Sequence, residues 1–327
     1  MSIELHMNSE SDFILDIKSK YSLNFVGDDC AVITKNTETD MVITADMLVE
    51  DVDFRLEWTD PFLLGRKALS VSLSDIAAMG ATPTWAMLSI AVPESLWESG
   101  FLKVFYEGWH SRVHEYGVTL IGGDISRSPD KLVIDSIVSG DVPSGNALLR
   151  SGARPGDLIY VSGALGGAAG GLRLLENGRR SESNAATSES KLIKHQLDPT
   201  PQVHLGNYLQ KHNLANSAID ISDGFSTDLF HICEKSSVGC VVDANSLPID
   251  PDLMESFTLE EALDLAMNGG EDFQLLFTVP REKEDLLDLL DTQNLTKVGV
   301  ITHPEDGMKL LNEGRSVDMI PKGFAHF

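Results

Sequence analysis

The chain has 327 residues and a formal net charge of −25, because 50 Asp and Glu side chains oppose 25 Lys and Arg side chains. This excess of acid argues against nucleic-acid binding, which depends on Lys and Arg that neutralise phosphates. An acidic protein can still bind phosphate compounds when divalent cations lie between carboxylates and phosphates. Hydrophobic residues make up 42% of the sequence, enough for a core, and the length predicts about two domains.

The cysteines and the apolar runs bear on the compartment. The chain has three cysteines, Cys30, Cys233 and Cys240, without a CxxC pair, which predicts neither a disulfide framework nor a cysteine zinc site. The first residues lack the basic and apolar regions of a signal peptide. No run of about 18 apolar residues occurs, so no membrane span is expected. We therefore expect a reduced, cytoplasmic protein.

The first part of the chain alternates predicted strands and helices. The pair Asp60-Pro61 favours a helix start, and the helical pattern continues to Gly80. The other predicted elements are a short helix within residues 14–21, strands over 26–35, 41–46, 85–93, 118–124 and 131–142, and a helix over 94–117. This part is taken as a first domain of residues 1–145.

A cluster of Arg, Gly and Pro over Asn146–Asp157 predicts a domain boundary, so the second domain covers residues 146–327. Its predicted strands are 158–163, 217–222, 240–249, 273–280 and 297–301. One predicted helix begins after the glycine-rich residues 164–171. Three more predicted helices cover 223–236, 259–267 and 284–291. The polar segment Arg179–Ser190 is typical of an exposed, mobile loop. Alternating strands and helices in both halves predict an α/β or α+β layered fold.

Several carboxylates do not fit a solvated surface, since they follow glycines, end apolar strands or interrupt an apolar helix. They are Asp28, Asp29, Asp46, Asp75, Asp124, Asp220, Asp223, Glu271 and Asp272. Burying one carboxylate without a partner costs several kcal/mol, so a converging set requires cations. Mg²⁺ prefers such oxygen ligands together with phosphates. Taken singly, each of these residues is more readily explained as a turn or a helix cap, as for Asp28, Asp223 and Asp272, and only the whole set favours ligands.

A series of motifs carries a resemblance to a known family. In chain order they are GDDCAVI, TADMLVEDVDF, GRKALSVSLSDIAAMGATP, LIGGD, LLRSGARPGDLIYVSG, NSAIDISDGFSTDL, NGGEDFQLLFTVP and KGFAHF. This series, from about residue 27 to the C-terminus, resembles the bacterial thiamine-monophosphate kinases. That family belongs to the superfamily of aminoimidazole ribonucleotide synthetase and selenophosphate synthetase.

The resemblance implies a fold and a reaction. The fold would be two α/β domains, the first forming a β-barrel-like dimer interface, so that a homodimer is expected. The reaction would transfer the γ-phosphoryl group of ATP directly to thiamine monophosphate, with the help of several Mg²⁺ ions, and give thiamine diphosphate and ADP. The second domain would complete the nucleotide and substrate site.

The resemblance also implies roles for individual residues. The implied metal ligands are Asp29, Thr44, Ala45, Asp46, Asp75, Asp124, Asp220 and Asp223. The implied ATP contacts are Tyr106, Gly123, Asp124, Arg150 and Ser222. The implied substrate contacts are Asp53, Glu271 and Phe324. No residue is implied to form a phosphoenzyme.

Three positions depart from the family pattern. Asp53 stands where the family often has a histidine that contacts substrate, and an acid there would repel a phosphate unless a cation intervenes. The alternatives are that Asp53 pairs with the cationic thiazolium or points away from the site. Ala45 stands where a threonine often contacts metal, a contact that survives only through the backbone carbonyl. Ser72 replaces the asparagine of the Asn-Leu-Ser-Asp motif, so an amide contact there is lost.

Other functions are weighed against this one. No GxxxxGK[ST] motif occurs, which argues against a P-loop kinase. Another ATP-dependent synthetase of the superfamily is an alternative, but Cys30 is followed by Ala31 rather than by the lysine of a selenide enzyme, and the C-terminus lacks a carbamoyl-accepting cysteine. A non-catalytic nucleotide- or metal-binding regulator is a third possibility, supported only by the three departures.

Overall fold

A computed structural model describes residues 18–19, 25, 27–180, 187–287, 294–312 and 314–324. The strands are β1 Ala31–Thr34, β2 Thr39–Val49, β3 Thr82–Val92, β4 Thr119–Arg127, β5 Val133–Pro143, β6 Leu158–Ser162, β7 Ser217–Asp220, β8 Gly239–Asp243, β9 Leu275–Val279, β10 Leu295–Thr302, β11 Met308–Asn312 and β12 Arg315–Asp318. The helices are α1 Pro61–Ala78, α2 Glu94–Trp97, α3 Phe101–Glu115, α4 Gly167–Glu176, α5 Ser188–Leu197, α6 Val203–Lys211, α7 Phe225–Ser236, α8 Leu259–Asn268 and α9 Glu284–Leu287.

The first sheet is five-stranded, in the order β1-β2-β5-β3-β4. Neighbouring strands are antiparallel except for the parallel pair of β3 and β4. Helix α1 packs on one face of this sheet, and α3 packs on α1. The opposite face carries half-exposed or exposed apolar side chains, among them Met47, which is 60% exposed.

The second sheet is seven-stranded, in the order β12-β11-β8-β10-β6-β9-β7. Among its described strands, only β8 and β11 pair in parallel. Strands β6, β7 and β9 are buried along their whole length, so this part of the sheet is covered on both faces. Covered strands are continuous apolar runs rather than alternating ones, which is why their sequences predict strands so clearly.

Helix α1 lies at the centre of the molecule. Asp60 caps its first turn by accepting hydrogen bonds from the N–H groups of Phe62 and Leu63, and Pro61 fills the first helical position. The helix packs against the first sheet and α3, and also against α6 and β7 of the second half. Because α1 is covered on nearly every side, a carboxylate on it must find its partners inside the protein.

The sequence-predicted elements need several corrections. The predicted helix over 94–117 divides into α2 and α3, because Gly100 adopts a left-handed backbone with φ 79° between them. The predicted loop Arg179–Ser190 is too long, since α5 begins at Ser188 with Thr187 as its cap; residues 181–186 lie outside the described part. The predicted strand over 240–249 ends at Asp243.

Some elements lie beyond the sequence predictions. Helices α5 and α6 and the hairpin of β11 and β12 were not predicted. The short helix expected within 14–21 falls outside the described residues except Lys18 and Ser19, which are helical. The expected boundary between residues 145 and 146 falls in the connection between β5 and β6 and stays a prediction.

The crossing of α1 and α3 gives a stability prediction. An added Cβ on Gly108 would lie 1.9 Å from the carbonyl oxygen of Phe62, and one on Gly65 would lie 2.0 Å from that of Phe105. The two backbones therefore touch, and Gly108→Ala must push the helices apart. We expect the free energy of unfolding to fall by about 1–3 kcal/mol in a denaturant titration.

A neighbouring position on α3 supplies the control. Glu107 is exposed, so Glu107→Ala should change the free energy of unfolding by less than about 0.5 kcal/mol. If both variants unfold at the same denaturant concentration as the unmodified protein, the close contact of the two backbones does not constrain stability.

Candidate active site

Three carboxylates converge where the two halves of the chain meet. Asp29 follows the glycine turn before β1, Asp75 lies in the last turn of α1, and Asp220 ends β7. One carboxylate oxygen of each lies within 4.8 Å of the others. Asp29 and Asp220 are buried, at 7% and 2% exposure. The spacing suits three oxygen ligands around shared cations.

Hydrogen bonds fix each of these carboxylates. The Thr44 hydroxyl donates to Oδ2 of Asp75. The Ser74 hydroxyl donates to Oδ2 of Asp220 over 2.6 Å and thereby joins α1 to β7. These short side chains hold the carboxylates toward one another, an arrangement that would be repulsive without a positive charge between them.

Among the described residues, Arg150 is the cation that hydrogen-bonds to the cluster. Its Nη2 donates to Oδ1 of Asp29 over 2.6 Å, and its Nε donates to the same oxygen over 3.1 Å. Its backbone N–H donates to Oδ1 of Asp28 over 2.9 Å. Asp28 therefore positions the backbone of Arg150, and this agrees with the alternative in which Asp28 is a turn residue rather than a ligand.

The electrostatics of the cluster show an excess of negative charge. Burial is the main cause that raises the carboxyl pKa values, and the neighbouring carboxylates raise them further: the pKa of Asp220 rises to about 8, and that of Asp75 lies well above its usual range. The pKa of Asp29 is also raised by burial, although Arg150 opposes the shift. One guanidinium is too little charge for these acids.

The donor set fits Mg²⁺. All three converging groups are carboxylates, the hard oxygen ligands that Mg²⁺ prefers. Within the described part of the chain, Oδ2 of Asp29 and Oδ2 of Asp46 are buried atoms without a hydrogen-bond partner. A buried lone pair without a donor is costly unless a ligand occupies it, so both oxygens are suited to a cation.

Asp46 lies beside this cluster on the covered face of the first sheet. It pairs in register with Ser136 of β5, and burial raises its pKa to about 6, helped by the charges of Asp135 and Asp29. Ala45, one residue earlier on β2, is exposed and faces the other side of the sheet. Its side chain is therefore directed away from the cluster, and only its backbone is available there.

Asp124 and Gly123 lie on the edge strand β4. Asp124 is exposed and pairs with Ser89, one step along from the pair of Gly123 and Leu88. The described contacts do not bring Asp124 to the three converging carboxylates. An added Cβ on Gly123 would lie 1.9 Å from the Leu88 carbonyl oxygen, so the pairing of β3 with β4 itself requires glycine here.

The turn after β7 gathers the implied contacts of the second half. The Glu271 N–H donates to the carbonyl oxygen of Ser222 over 2.8 Å, and the Phe324 N–H donates to that of Asp223 over 3.0 Å. The loop before β9 and the C-terminal segment therefore both dock on the residues that follow Asp220. Phe324 is 52% exposed and can contact a ligand.

Two implied contacts have local partners. Oδ2 of Asp53 accepts the Val49 N–H over 2.7 Å, so one carboxylate oxygen closes the turn after β2. Tyr106 is 42% exposed on α3, and its ring lies 6.3 Å from that of Trp109. The described contacts do not join either residue to the cluster of Asp29, Asp75 and Asp220.

Asp272 belongs to the fold rather than to the cluster. Its carboxylate accepts the Gly166 N–H over 2.6 Å and the Ala168 N–H over 3.1 Å at the start of α4. Burial raises its pKa to about 7. It therefore acts as a helix cap supplied from another segment, in line with the capping alternative.

Sequence reasoning missed Ser74, Lys67 and Gln196. Ser74 holds Asp220, and its signal was its place next to Asp75 in an apolar helix. Lys67 and Gln196 both contact the Glu271 carboxylate. A lysine within the apolar sequence of α1 was a visible signal, whereas nothing in the sequence connects Gln196 to residue 271.

Cys30 lies under the same cluster. Its thiol is buried, and burial together with the charges of Asp75 and Asp29 raises its pKa well above the usual range. Cys233 and Cys240 are likewise free and buried. Among the described residues, no helix combines the length and apolar character needed to cross a membrane.

Comparison with known proteins identifies the fold class and the family. Residues 27–142 match the N-terminal domain of AIR synthase related proteins, and residues 154–309 match the C-terminal domain. The chain therefore has the two-domain α/β architecture of that class. Within it, the chain belongs to the thiamine-monophosphate kinase family.

Individual relatives support this assignment. The chain is 39% identical to the thiamine-monophosphate kinase of Escherichia coli K12, over 92% of this chain and 91% of that one. It is 34% identical to that of Bacillus subtilis, over 92% and 93%. The solved complex of AaThiL with AMPPCP and TMP superposes with a TM-score of 0.86 at 32% identity and covers 100% of both chains.

Proposed function

We propose that this chain phosphorylates thiamine monophosphate with ATP and releases thiamine diphosphate and ADP by direct transfer. The observation that carries the proposal is the convergence of the buried Asp29 and Asp220 with the half-buried Asp75 in a member of this family. Both reactants are phosphate anions, so the site must offset their mutual repulsion. Phosphoryl transfer depends mainly on position and charge.

The carboxylates would hold the Mg²⁺ ions. Asp29, Asp46, Asp75 and Asp220 line the covered side of the first sheet and the end of β7, and Thr44 orients Asp75. Asp223 lies three residues beyond Asp220 and Asp124 lies on β4, and both complete the proposed ligand set with the backbone of Ala45. When bound, the ions neutralise phosphate charge and align the two phosphates.

The remaining residues would bind the organic and phosphate parts of the reactants. Arg150 offers a fixed guanidinium, which suits phosphate oxygens. Gly123, Ser222 and Tyr106 are the other proposed ATP contacts. Glu271, Phe324 and Asp53 are the proposed substrate contacts. An ionised acceptor phosphate needs no strong base, which fits a site built of carboxylates.

The first sheet offers a surface for a homodimer. Its uncovered face is rich in apolar side chains, and β4 leaves an unpaired edge on which Ile121 and Ile125 are 56% and 60% exposed. Large exposed apolar areas of this kind mark interfaces. We expect two copies to bring these faces together as a barrel-like interface, and we expect the protein in the cytoplasm.

The test is thiamine diphosphate formation. ATP and thiamine monophosphate are expected to give product only with Mg²⁺, whereas thiamine and aminoimidazole precursors are expected to give none. Product from the monophosphate also shows that Asp53 is compatible with the substrate. Absence of product with each acceptor, while ATP still binds, would contradict the proposed reaction.

A further inference from the structure

A buried lysine on α1, Lys67, is not among the proposed metal, ATP or substrate contacts. The side chain of Lys67 is 1% exposed, and it lies eight residues before Asp75 on the same helix. An ammonium group taken out of water is costly unless a partner compensates its charge. The lysine therefore needs a buried acid, and its partner comes from the second half of the chain.

That partner is Glu271. Lys67 Nζ lies 2.8 Å from Oε1 of Glu271, and the Gln196 amide donates to Oε2. Gln196 is 4% exposed. Both carboxylate oxygens are thus held from the protein side, by α1 and by α5, whereas the Glu271 side chain remains 28% exposed. The exposed part is the one that a ligand can reach.

The backbone of Glu271 adds a second observation. Its φ is 67°, a left-handed conformation that residues other than glycine rarely adopt. Such a conformation is strained and persists where surrounding contacts enforce it. The hydrogen bond from its N–H to the Ser222 carbonyl oxygen is one such contact. Glycine would adopt this backbone conformation without strain. The presence of glutamate therefore favours a role for its carboxylate.

We propose that Lys67 and Gln196 are positioning residues that hold the Glu271 carboxylate toward the cationic heteroaromatic part of the phosphate acceptor. The inference rests on the proposed function, in which Glu271 contacts substrate. Lys67 contacts the buried side of Glu271, and so it acts through the glutamate. The ion pair also links the first half of the chain to the loop before β9, so acceptor binding depends on how the halves are joined.

The experiment compares Lys67→Met, Glu271→Gln and the double variant. Lys67→Met removes the positive charge and keeps a side chain of similar length. We expect it to raise the KM for thiamine monophosphate about tenfold, which corresponds to about 1.4 kcal/mol. The KM for ATP and kcat should stay within about twofold. The double variant should be no worse than Glu271→Gln alone, since Lys67 acts through Glu271.

A neighbouring ion pair supplies the matched control. Arg66 pairs with Asp198 over 2.8 Å and lies next to Lys67 on α1. Arg66→Met removes a cation from the same helix, and we expect it to lower Tm without raising the KM for thiamine monophosphate. If Lys67→Met behaves like Arg66→Met, the lysine is only structural and the inference is wrong.

If Lys67→Met does not fold, Gln196→Leu tests the same idea and should raise the same KM about threefold, with no change for ATP. If the effects of Lys67→Met and Glu271→Gln multiply in the double variant, Lys67 acts independently and the inference falls. Product formation by the unmodified protein is measured first. If no thiamine diphosphate forms, the proposed reaction itself is wrong.

Discussion

Asp75→Asn is expected to lower kcat/KM for thiamine diphosphate formation by about 10²–10³-fold or more while the protein stays folded. The amide keeps the shape of the side chain and can still accept the Thr44 hydroxyl, but it removes a negative ligand from the proposed Mg²⁺ site. Without Mg²⁺, Tm should equal or exceed that of the unmodified protein, because Asp75 then no longer repels Asp46, Asp220 and Asp29.

A buried carboxylate outside the cluster provides the control. Oδ2 of Asp157 accepts the Arg154 N–H over 2.9 Å and the Asn216 amide over 2.8 Å. Asp157→Asn should lower the free energy of unfolding by about 1–3 kcal/mol and leave kcat/KM within about twofold. Near-normal turnover of Asp75→Asn would remove Asp75 from the metal site.

The Mg²⁺-free protein is expected to lose stability as the pH rises from 4 toward 8. The pKa values of Asp46, Asp272 and Asp220 are raised to about 6, 7 and 8, above the ordinary value of 3.8. The folded protein therefore binds more protons than the unfolded chain in this range, and the free energy of unfolding falls with pH. Tm measured in chelator at successive pH values checks this.

Added Mg²⁺ should reverse this loss. The ion competes with protons for the carboxylates, so its stabilisation is larger near pH 8 than near pH 6. Near pH 8, Mg²⁺ at about 100 times its Kd should raise Tm by about 4 °C in a chain of 327 residues.

Asp220→Asn is the matched variant. It should flatten the pH dependence and weaken the response to Mg²⁺, whereas Asp272→Asn should affect only the pH dependence. If Mg²⁺ raises Tm equally at pH 6 and pH 8, or equally in Asp220→Asn and Asp272→Asn, a proton-linked metal site at Asp220 is contradicted.

The sequence allowed much of the fold to be predicted where the local signals were strong. The start of α1 at Asp60-Pro61 followed from capping chemistry, and the buried strands β6, β7 and β9 followed from short apolar runs. Helix α5 was not predicted because a polar segment precedes it, and the composition of that segment suggested a loop up to Ser190. The hairpin of β11 and β12 lacks a strong apolar alternation, and tertiary pairing with β8 decides it.

Part of the candidate site could likewise be predicted from local sequence, and part could not. The motifs named Asp29, Asp75 and Asp220, and the structure brings these three together. Whether an acid near a glycine becomes a ligand or a cap depends on where the chain leads it, so Asp272 could not be separated from Glu271 by pattern alone. Lys67 and Gln196 meet Glu271 through contacts between distant segments, which only tertiary structure reveals.

The position of Cys30 has a practical consequence for handling and inhibition. Oxidants and alkylating reagents attack the thiolate rather than the thiol. Burial is the main cause of the raised pKa of Cys30; at 3% exposure the sulfur stays protonated and is largely shielded from solvent. Although Cys30 lies beside the cluster of Asp29, Asp75 and Asp220, electrophilic compounds should react with it only slowly, and the enzyme is expected to keep its activity through exposure to air.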